Sequence, residues 1–353
     1  MAPRRLSGLR SIWKERRARA RSLSIGLTPL EQAQRSWARS ITAYTDIPAE
    51  YRSIFEPLQE AGAPFPLVVI APSYQGFLQR EIERLVCATS DEITFIEKRG
   101  RRLEVHCYPI GEISCVEVSS ILLDARLKIM GLERGERLPG STAVRFNAVT
   151  DFLFAPIVAR IRSGAEVLKP GPRRRPDPFD AWGKQNFKFM NYARRSLLGN
   201  EEVHQAILQP EIRVKVVSAF GRSVHRTISP THAILLTDRE LITIREGPAP
   251  GGRESYGGVW DYMSLQRIER LSITEAAHGA VGLSIHLPGA NHFDLLFEAS
   301  ARNRLEALQA KFDELTECGM GEGARQARLT TPKPADRSAS RGGTDSRRPS
   351  DSR

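Results

Sequence analysis

The sequence is poor in cysteine: Cys87, Cys107, Cys115 and Cys318 are the only four in 353 residues, and no Cys-x-x-Cys pair occurs. Too few and too irregular for a secreted disulfide framework, they fit a reducing compartment. No run of about 18 apolar residues exists, which excludes a spanning helix. The opening residues lack the apolar stretch of a secretory signal. The expectation is a cytoplasmic protein, long enough for two or three domains that bury their own cores. Aromatic residues are also scarce, at 7%, and beyond Trp13 none interleaves with the N-terminal arginines. The stacking pattern of a single-strand nucleic-acid binder is missing there, and no specific nucleic acid is expected as a partner.

What is abundant is positive charge, unevenly placed. The formal charge is +11, but residues 1–22 carry +7 and residues 324–353 carry +5, which leaves the body between them near neutral at −1. From about Gly319 onward the chain has almost no apolar residue and reads as disordered. Four prolines between Pro170 and Pro178 mark a linker, because proline fits neither helix interiors nor central strands. The expected organisation is a basic, partly disordered segment over 1–40, a first domain over 41–164, a linker and lead-in over 165–200, a second domain over 201–318 and a disordered tail over 319–353.

Between the breaks the pattern is that of strands. Ile93-Thr-Phe-Ile96 alternates apolar and polar residues, Lys98-Arg-Gly-Arg-Arg102 turns, and Leu103-Glu-Val-His-Cys107 resumes the alternation, which predicts a hairpin. Pro66-Leu-Val-Val-Ile70 predicts a short strand, and Ala49–Gln59 an amphipathic helix. Phe152, Ile157 and Ile161 have roughly helical spacing, with Asn147 or Thr150 as cap and Pro156 as a potential kink.

The programme then recurs about 150 residues later. Thr89-Ser-Asp-Glu-Ile-Thr-Phe-Ile-Glu97 aligns with Thr237-Asp-Arg-Glu-Leu-Ile-Thr-Ile-Arg245, and Ile110, Ile113, Val116 and Val118 align with Leu265, Ile268, Leu271 and Ile273. Leu127-Lys-Ile129 matches Leu283-Ser-Ile285, and Val144-Arg-Phe146 matches Leu295-Leu-Phe297. Each copy ends in a predicted helix. The second is Ala301–Leu315, with Leu305, Leu308 and Phe312 on one face and Ser300 as its cap.

This order of hairpin, apolar-x-x-Ile edge, further strands and closing helix resembles the pleckstrin-homology-like and GRAM-type superfold, as does the Leu235-Leu-Thr-Asp-Arg-Glu-Leu-Ile242 run. The resemblance covers roughly residues 83–164 and 201–317, and is one of pattern. It implies an α+β fold that is mainly antiparallel β: two pleckstrin-homology-like rolls, each closed by a C-terminal helix. It also implies binding of lipid headgroups, peptides or protein partners; no cofactor is expected.

Chemistry-bearing candidates are few. Cys87, His106, Cys107 and Cys115 have poor spacing for a metal, since adjacent strand residues point to opposite faces. Ser73 follows an apolar strand but lacks the glycines of a nucleophile elbow. The glycines at 247, 251, 252, 257 and 258 lack the Lys-Ser/Thr of a phosphate loop. Asp124, Asp151, Asp238 and Asp294 have no paired spacing. No catalytic or metal residue is therefore assigned. The ligand-binding candidates are Lys98, Arg99, Arg101 and Arg102, four cations around one glycine that would converge on phosphate oxygens; a solvated turn protected by charge is the competing reading. Leu9, Ile12, Trp13, Arg16 and Arg17 form an apolar and basic stripe suited to an anionic membrane. The functional expectation is a non-catalytic module that binds a protein partner or an anionic lipid surface, peripheral at the inner membrane face. An enzyme with a site at the interdomain cleft, drawing on Ser73, His106 or residues near Trp182–Tyr192, and tail-driven association with nucleic acid are the alternatives. The pattern sets no oligomeric state.

Overall fold

The computed structural model describes residues 37–75, 80–100, 102–164, 177–199, 201–219, 222–247 and 257–319. Leu9, Ile12, Trp13, Arg16, Arg17, Arg101, Gly251, Gly252, the run 165–176 and the tail beyond 319 lie outside them. Described strands alternate with few helices, in the order β1 (Arg39–Ile41), α1 (Arg52–Glu60), β2 (Leu67–Ala71), β3 (Tyr74–Gln75), β4 (Arg80–Glu81), β5 (Arg84–Ala88), β6 (Glu92–Arg99) and β7 (Arg102–Pro109). There follow β8 (Ile113–Ile121), β9 (Asp124–Gly131), β10 (Gly140–Asn147), α2 (Ala155–Ser163), α3 (Phe187–Ser196), β11 (Val203–Gln209), β12 (Ile212–Ala219) and β13 (Arg222–Ser229). The chain closes with β14 (His232–Thr237), β15 (Glu240–Glu246), β16 (Gly257–Ser264), β17 (Arg270–Glu275), β18 (Val281–Leu287), β19 (Asn291–Phe297) and α4 (Arg302–Gly319). Strand neighbours among the described residues are antiparallel, which makes this an α+β protein dominated by antiparallel sheet. No helix among them is long and apolar enough to cross a membrane.

The recurrence seen in the sequence reaches down to single hydrogen bonds. The Thr89 hydroxyl donates to the Glu92 carbonyl and accepts from the Glu92 amide, at 3.2 and 3.1 Å. Thr237 does the same with Glu240, at 3.1 and 2.9 Å. Both threonines close a turn into a buried strand, because a hydroxyl at that position satisfies backbone groups the ladder leaves free. The two apolar-x-x-Ile segments form matching 3-10 turns, Ile110–Glu112 and Leu265–Arg267. Strand order recurs too: β2-β5-β6-β7 in one sheet and β11-β14-β15-β16 in another, each followed by three more strands and a helix.

Two further correspondences were not visible in the sequence. A helix precedes each half and covers the outer face of its first sheet: α1, with Tyr51 from the 3-10 turn that leads into it, places Phe55 on Val68, Ile70, Leu85 and Ile96, and α3 places Phe189, Met190 and Ala193 on Leu235, Ile242 and Ile244. The lead-in before residue 200 is thus part of a packed layer. A small hairpin also interrupts each half at the same point, β3–β4 between β2 and β5, and β12–β13 between β11 and β14.

The halves are fused. Strand β8 pairs with β16, from Gly257 opposite Ile121 to Met263 opposite Cys115, and so β10-β9-β8-β16-β15-β14-β11 form one seven-stranded sheet. Gly257 is required at this seam, because a Cβ there would lie 2.2 Å from the Ser120 carbonyl oxygen. The core of the first half lies between its first sheet, strands β8–β10 and α2, with Phe95, Val116, Leu127, Ile129, Ile157 and Ile161 buried. That of the second lies on the opposite face of the shared sheet, under β17–β19 and α4, with Leu283, Ile285, Leu305, Leu308 and Phe312.

The ends of the closing helices differ from expectation. Asn147 does cap, accepting from the Val149 amide at 3.0 Å, but it starts a 3-10 segment, Ala148–Leu153, before α2. Pro156 falls in the first turn of α2, where no amide is missed and no kink results. Phe152 is exposed on the 3-10 segment instead of lying on the helix's buried face, because the tighter turn breaks the 3.6-residue period that placed it there. Ser300 sits inside a 3-10 turn, Ala299–Ala301, and caps nothing.

Candidate anion-binding surfaces

The β6–β7 hairpin carries the four cations the sequence singled out, and alternation along the strand separates them. Lys98 faces the 3-10 turn before α1, where its ammonium donates to Glu50 at 2.6 Å, and lies 3.7 Å from Glu83. Their hydrogen bond holds the Glu50 carboxyl below its ordinary pKa and the Lys98 ammonium above its own. Arg99 faces the other way, 3.0 Å from Glu97 and 2.9 Å from Glu104. Glu97 is buried and also accepts from Arg84 at 2.7 Å. Burial works to raise its pKa, but the two guanidinium groups outweigh burial and hold it below the ordinary carboxylate value. Arg102 sits opposite Arg99 in the register and is exposed, with no carboxylate partner among the described residues. The structure thus does not bring Lys98 and Arg99 together, and four carboxylates already surround them.

A second basic hairpin escaped the sequence reading. Strands β12 and β13, each of 8 residues, form a two-stranded arm on the order of 27 Å long, held by no other sheet. Arg213, Lys215, His225 and Arg226 are all exposed on it, with Lys215 opposite His225 and Arg226 opposite Val214. Glu211 pairs with Arg213 and accepts from Thr227 at 3.4 Å. Among the described residues no carboxylate pairs with Lys215 or Arg226. The signal that would have found the arm is the alternation Ile212-Arg-Val-Lys-Val216, with Gly221 between it and Ser223-Val-His-Arg-Thr-Ile228. Its base is fixed. Gln209 accepts from the Glu298 amide at 3.0 Å, and buried His232 packs edge-on against Phe297 at 4.8 Å. Burial holds His232 below its ordinary pKa, and so neutral.

The register places this arm on one continuous edge of the seven-stranded sheet. Gln209 pairs with His232, His232 with Arg245, Glu246 with Gly258, Gly257 with Ile121, Ile121 with Asp124, and Asp124 with Asn147. At seven strands the edge spans about 30 Å. Its far end is apolar. Leu122 and Leu123, at the tip of the β8–β9 hairpin, are 62% and 66% exposed, and Val149 and Phe152 are 48% and 64% exposed. The Ala148 amide donates to the Leu123 carbonyl at 2.9 Å, which joins the two segments into one rim. Leu122 has φ of +56°, a conformation that costs a non-glycine residue about 1–2 kcal/mol.

Other candidates resolve into packing. Cys87 lies in the core under α1 and Cys115 in the core of the second half. Burial pushes the Cys87 thiol up to about 12 and that of Cys115 well above its ordinary value. His106 hydrogen bonds through Nδ1 to Glu133 at 3.0 Å, and with Glu97 and Glu104 it forms the one group of potential metal ligands among the described residues. Arg84 and Arg99 already occupy the Glu97 oxygens. Ser73 is exposed at the end of β2. Trp182 and Phe189 are buried against the shared sheet. A shallow cavity of about 310 Å³ opens between the halves beside the Glu112–Arg267 ion pair of 3.0 Å.

The most enclosed charge cluster joins the halves. Arg162 of α2 reaches both Glu240 oxygens at 3.1 and 3.0 Å, donates to the Ser196 carbonyl at 2.7 Å, approaches Glu201 at 3.4 Å and stacks 3.9 Å over the Tyr262 ring. One guanidinium faces two buried carboxylates, and Glu201 Oε1 has no partner. Burial, with Glu240 as a like-charged neighbour, pushes the Glu201 carboxyl up to about 7, and burial raises that of Glu240. A comparison of the chain with protein-family models finds no match, and a comparison with curated proteins finds none either.

Proposed function

We propose that this chain is a non-catalytic binding module made of two pleckstrin-homology-like rolls, each closed by its C-terminal helix, that docks on an anionic lipid surface through the β12–β13 arm. The observation that carries the reading is the contrast in charge pairing: on the arm, exposed Lys215 and Arg226 have no carboxylate partner among the described residues, whereas on β6–β7 Lys98 and Arg99 are each held by two and only Arg102 of its described cations is left without one. An unpaired exposed cation can give its full charge to a phosphate, while a paired one must first break an existing bond. The double-roll assignment is supported by the recurring strand order and the matched threonine turns. The +7 N-terminal segment adds attraction to the same kind of surface.

Co-sedimentation of the full chain with phosphatidylcholine vesicles, with and without phosphatidylserine, tests the reading. Each basic residue near an anionic membrane contributes about 1 kcal/mol. Replacing Arg213, Lys215 and Arg226 together by Ala should therefore weaken binding to the anionic vesicles roughly a hundredfold. Equal binding by this variant, or binding of nucleic acid or a protein in place of vesicles, would overturn it.

A further inference from the structure

We propose that the apolar rim of Leu122, Leu123, Val149 and Phe152 inserts into the interfacial layer of the same anionic bilayer, as a second contact that does not depend on charge. This rests on the lipid reading above and assigns the far end of the same edge. Four side chains, each about half or more exposed, are joined through the Ala148–Leu123 hydrogen bond. They lie on turns, not on strands or in a groove, so the surface they present is convex. Leu122 and Leu123 are the two central residues of a tight turn, at a position where glycine carries positive φ without strain. A leucine held there, and turned to water, has no folding rationale among its described neighbours; a strained, exposed residue of this kind marks a site that acts on something else.

The choice of occupant follows from shape, area and charge. The rim offers roughly 400 Å² of apolar surface, about half of the ~800 Å² per partner that a stable protein interface buries. A second copy of the chain is therefore too weakly held. A fluid lipid layer needs no matching shape and receives protruding apolar side chains directly. The basic arm rises from the same strand ends of the seven-stranded sheet, along the register from Gln209 to Asn147, and supplies the cations that complement an anionic surface. Of the acids beside the rim, Asp124 is paired with Arg145. Asp151 is exposed in the 3-10 segment.

The test uses the full chain and vesicles of phosphatidylcholine with phosphatidylserine. At about 0.5 M salt, where charge attraction is screened beyond a few ångströms, the wild-type chain should keep measurable binding, and Leu123→Asp with Phe152→Asp should lose at least about tenfold of it. Its melting temperature should stay near that of the wild type, because both side chains are exposed. As a second readout, Leu123→Trp should be quenched by brominated lipid beyond the quenching of the native tryptophans. Undiminished binding by the double variant, or a Leu123→Trp chain that is not quenched, overturns the rim while the arm-based reading stands. A wild-type chain that sediments with no anionic vesicle at low salt removes both. Self-association of the wild type without lipid, abolished by the double variant, would assign the rim to a second copy instead.

Discussion

The two basic hairpins have similar composition and opposite electrostatics. In the first half, β6–β7 closes one edge of a five-stranded sheet, and its Lys98 and Arg99 meet Glu50, Glu83, Glu97 and Glu104, while Arg102 stays exposed. In the second, β12–β13 leaves the sheet as a free arm with Glu211 as the acid paired to it. The difference teaches that a cluster of Lys and Arg in sequence is not yet an anion site. A strand inside a sheet delivers alternate residues to two covered faces where acids wait, whereas a two-stranded arm delivers them to water.

The contrast can be broken or sharpened by substitution. The largest effect is expected at Glu97, the buried anchor of the first hairpin. Glu97→Ala removes the partner that Arg84 and Arg99 share and should cost about 1–3 kcal/mol in urea unfolding. Glu211→Ala, its counterpart on the exposed arm, should cost under ~0.5 kcal/mol. Equal costs would erase the distinction between the hairpins. Because Glu97 is held below its ordinary pKa, its contribution is present above pH about 4.5 and is lost as pH falls through the lowered value.

The Arg162 cluster titrates with the opposite sign. Glu201 is raised from 4.5 to about 7 in the folded chain, so the native state binds more protons than the unfolded one between these values. Stability should fall as pH rises from about 4.5 to 7, by on the order of 1–3 kcal/mol, and level off above. Glu201→Gln should flatten that slope in thermal melts taken across the range. A slope unchanged by the substitution would place the titration elsewhere.

The last expected effect is a gain. Glu50→Gln with Glu104→Gln releases Lys98 and Arg99 from one acid each and should raise affinity for anionic vesicles roughly three- to tenfold. Absence of any gain would mean that the position of the arm, beyond its unpaired charge, decides where lipid binds.

Much of the fold was legible because its signals are local and periodic. The β6–β7 hairpin, the matched Thr89 and Thr237 turns and the apolar positions from Leu127 to Phe297 all follow from alternation and turn chemistry within a few residues. The α1 segment was legible for the same reason. The arm's alternation is local too, but its cations are spread over two strands and stand out less in the sequence than the contiguous Lys98–Arg102 run. The rim was not legible, since Phe152 at helical spacing reads as core until the 3-10 turn is seen.

By itself the sequence determined which segments are strands, that a plan occurs twice, and where net charge accumulates, since these depend on near neighbours along the chain. Only the tertiary structure decided that β8 and β16 fuse the halves into one sheet, that Arg162 of one half meets the acids of the other, and which cations keep their charge free. Pairing across more than 100 residues is set by which edges and faces are left uncovered once each half has packed. No local pattern records that.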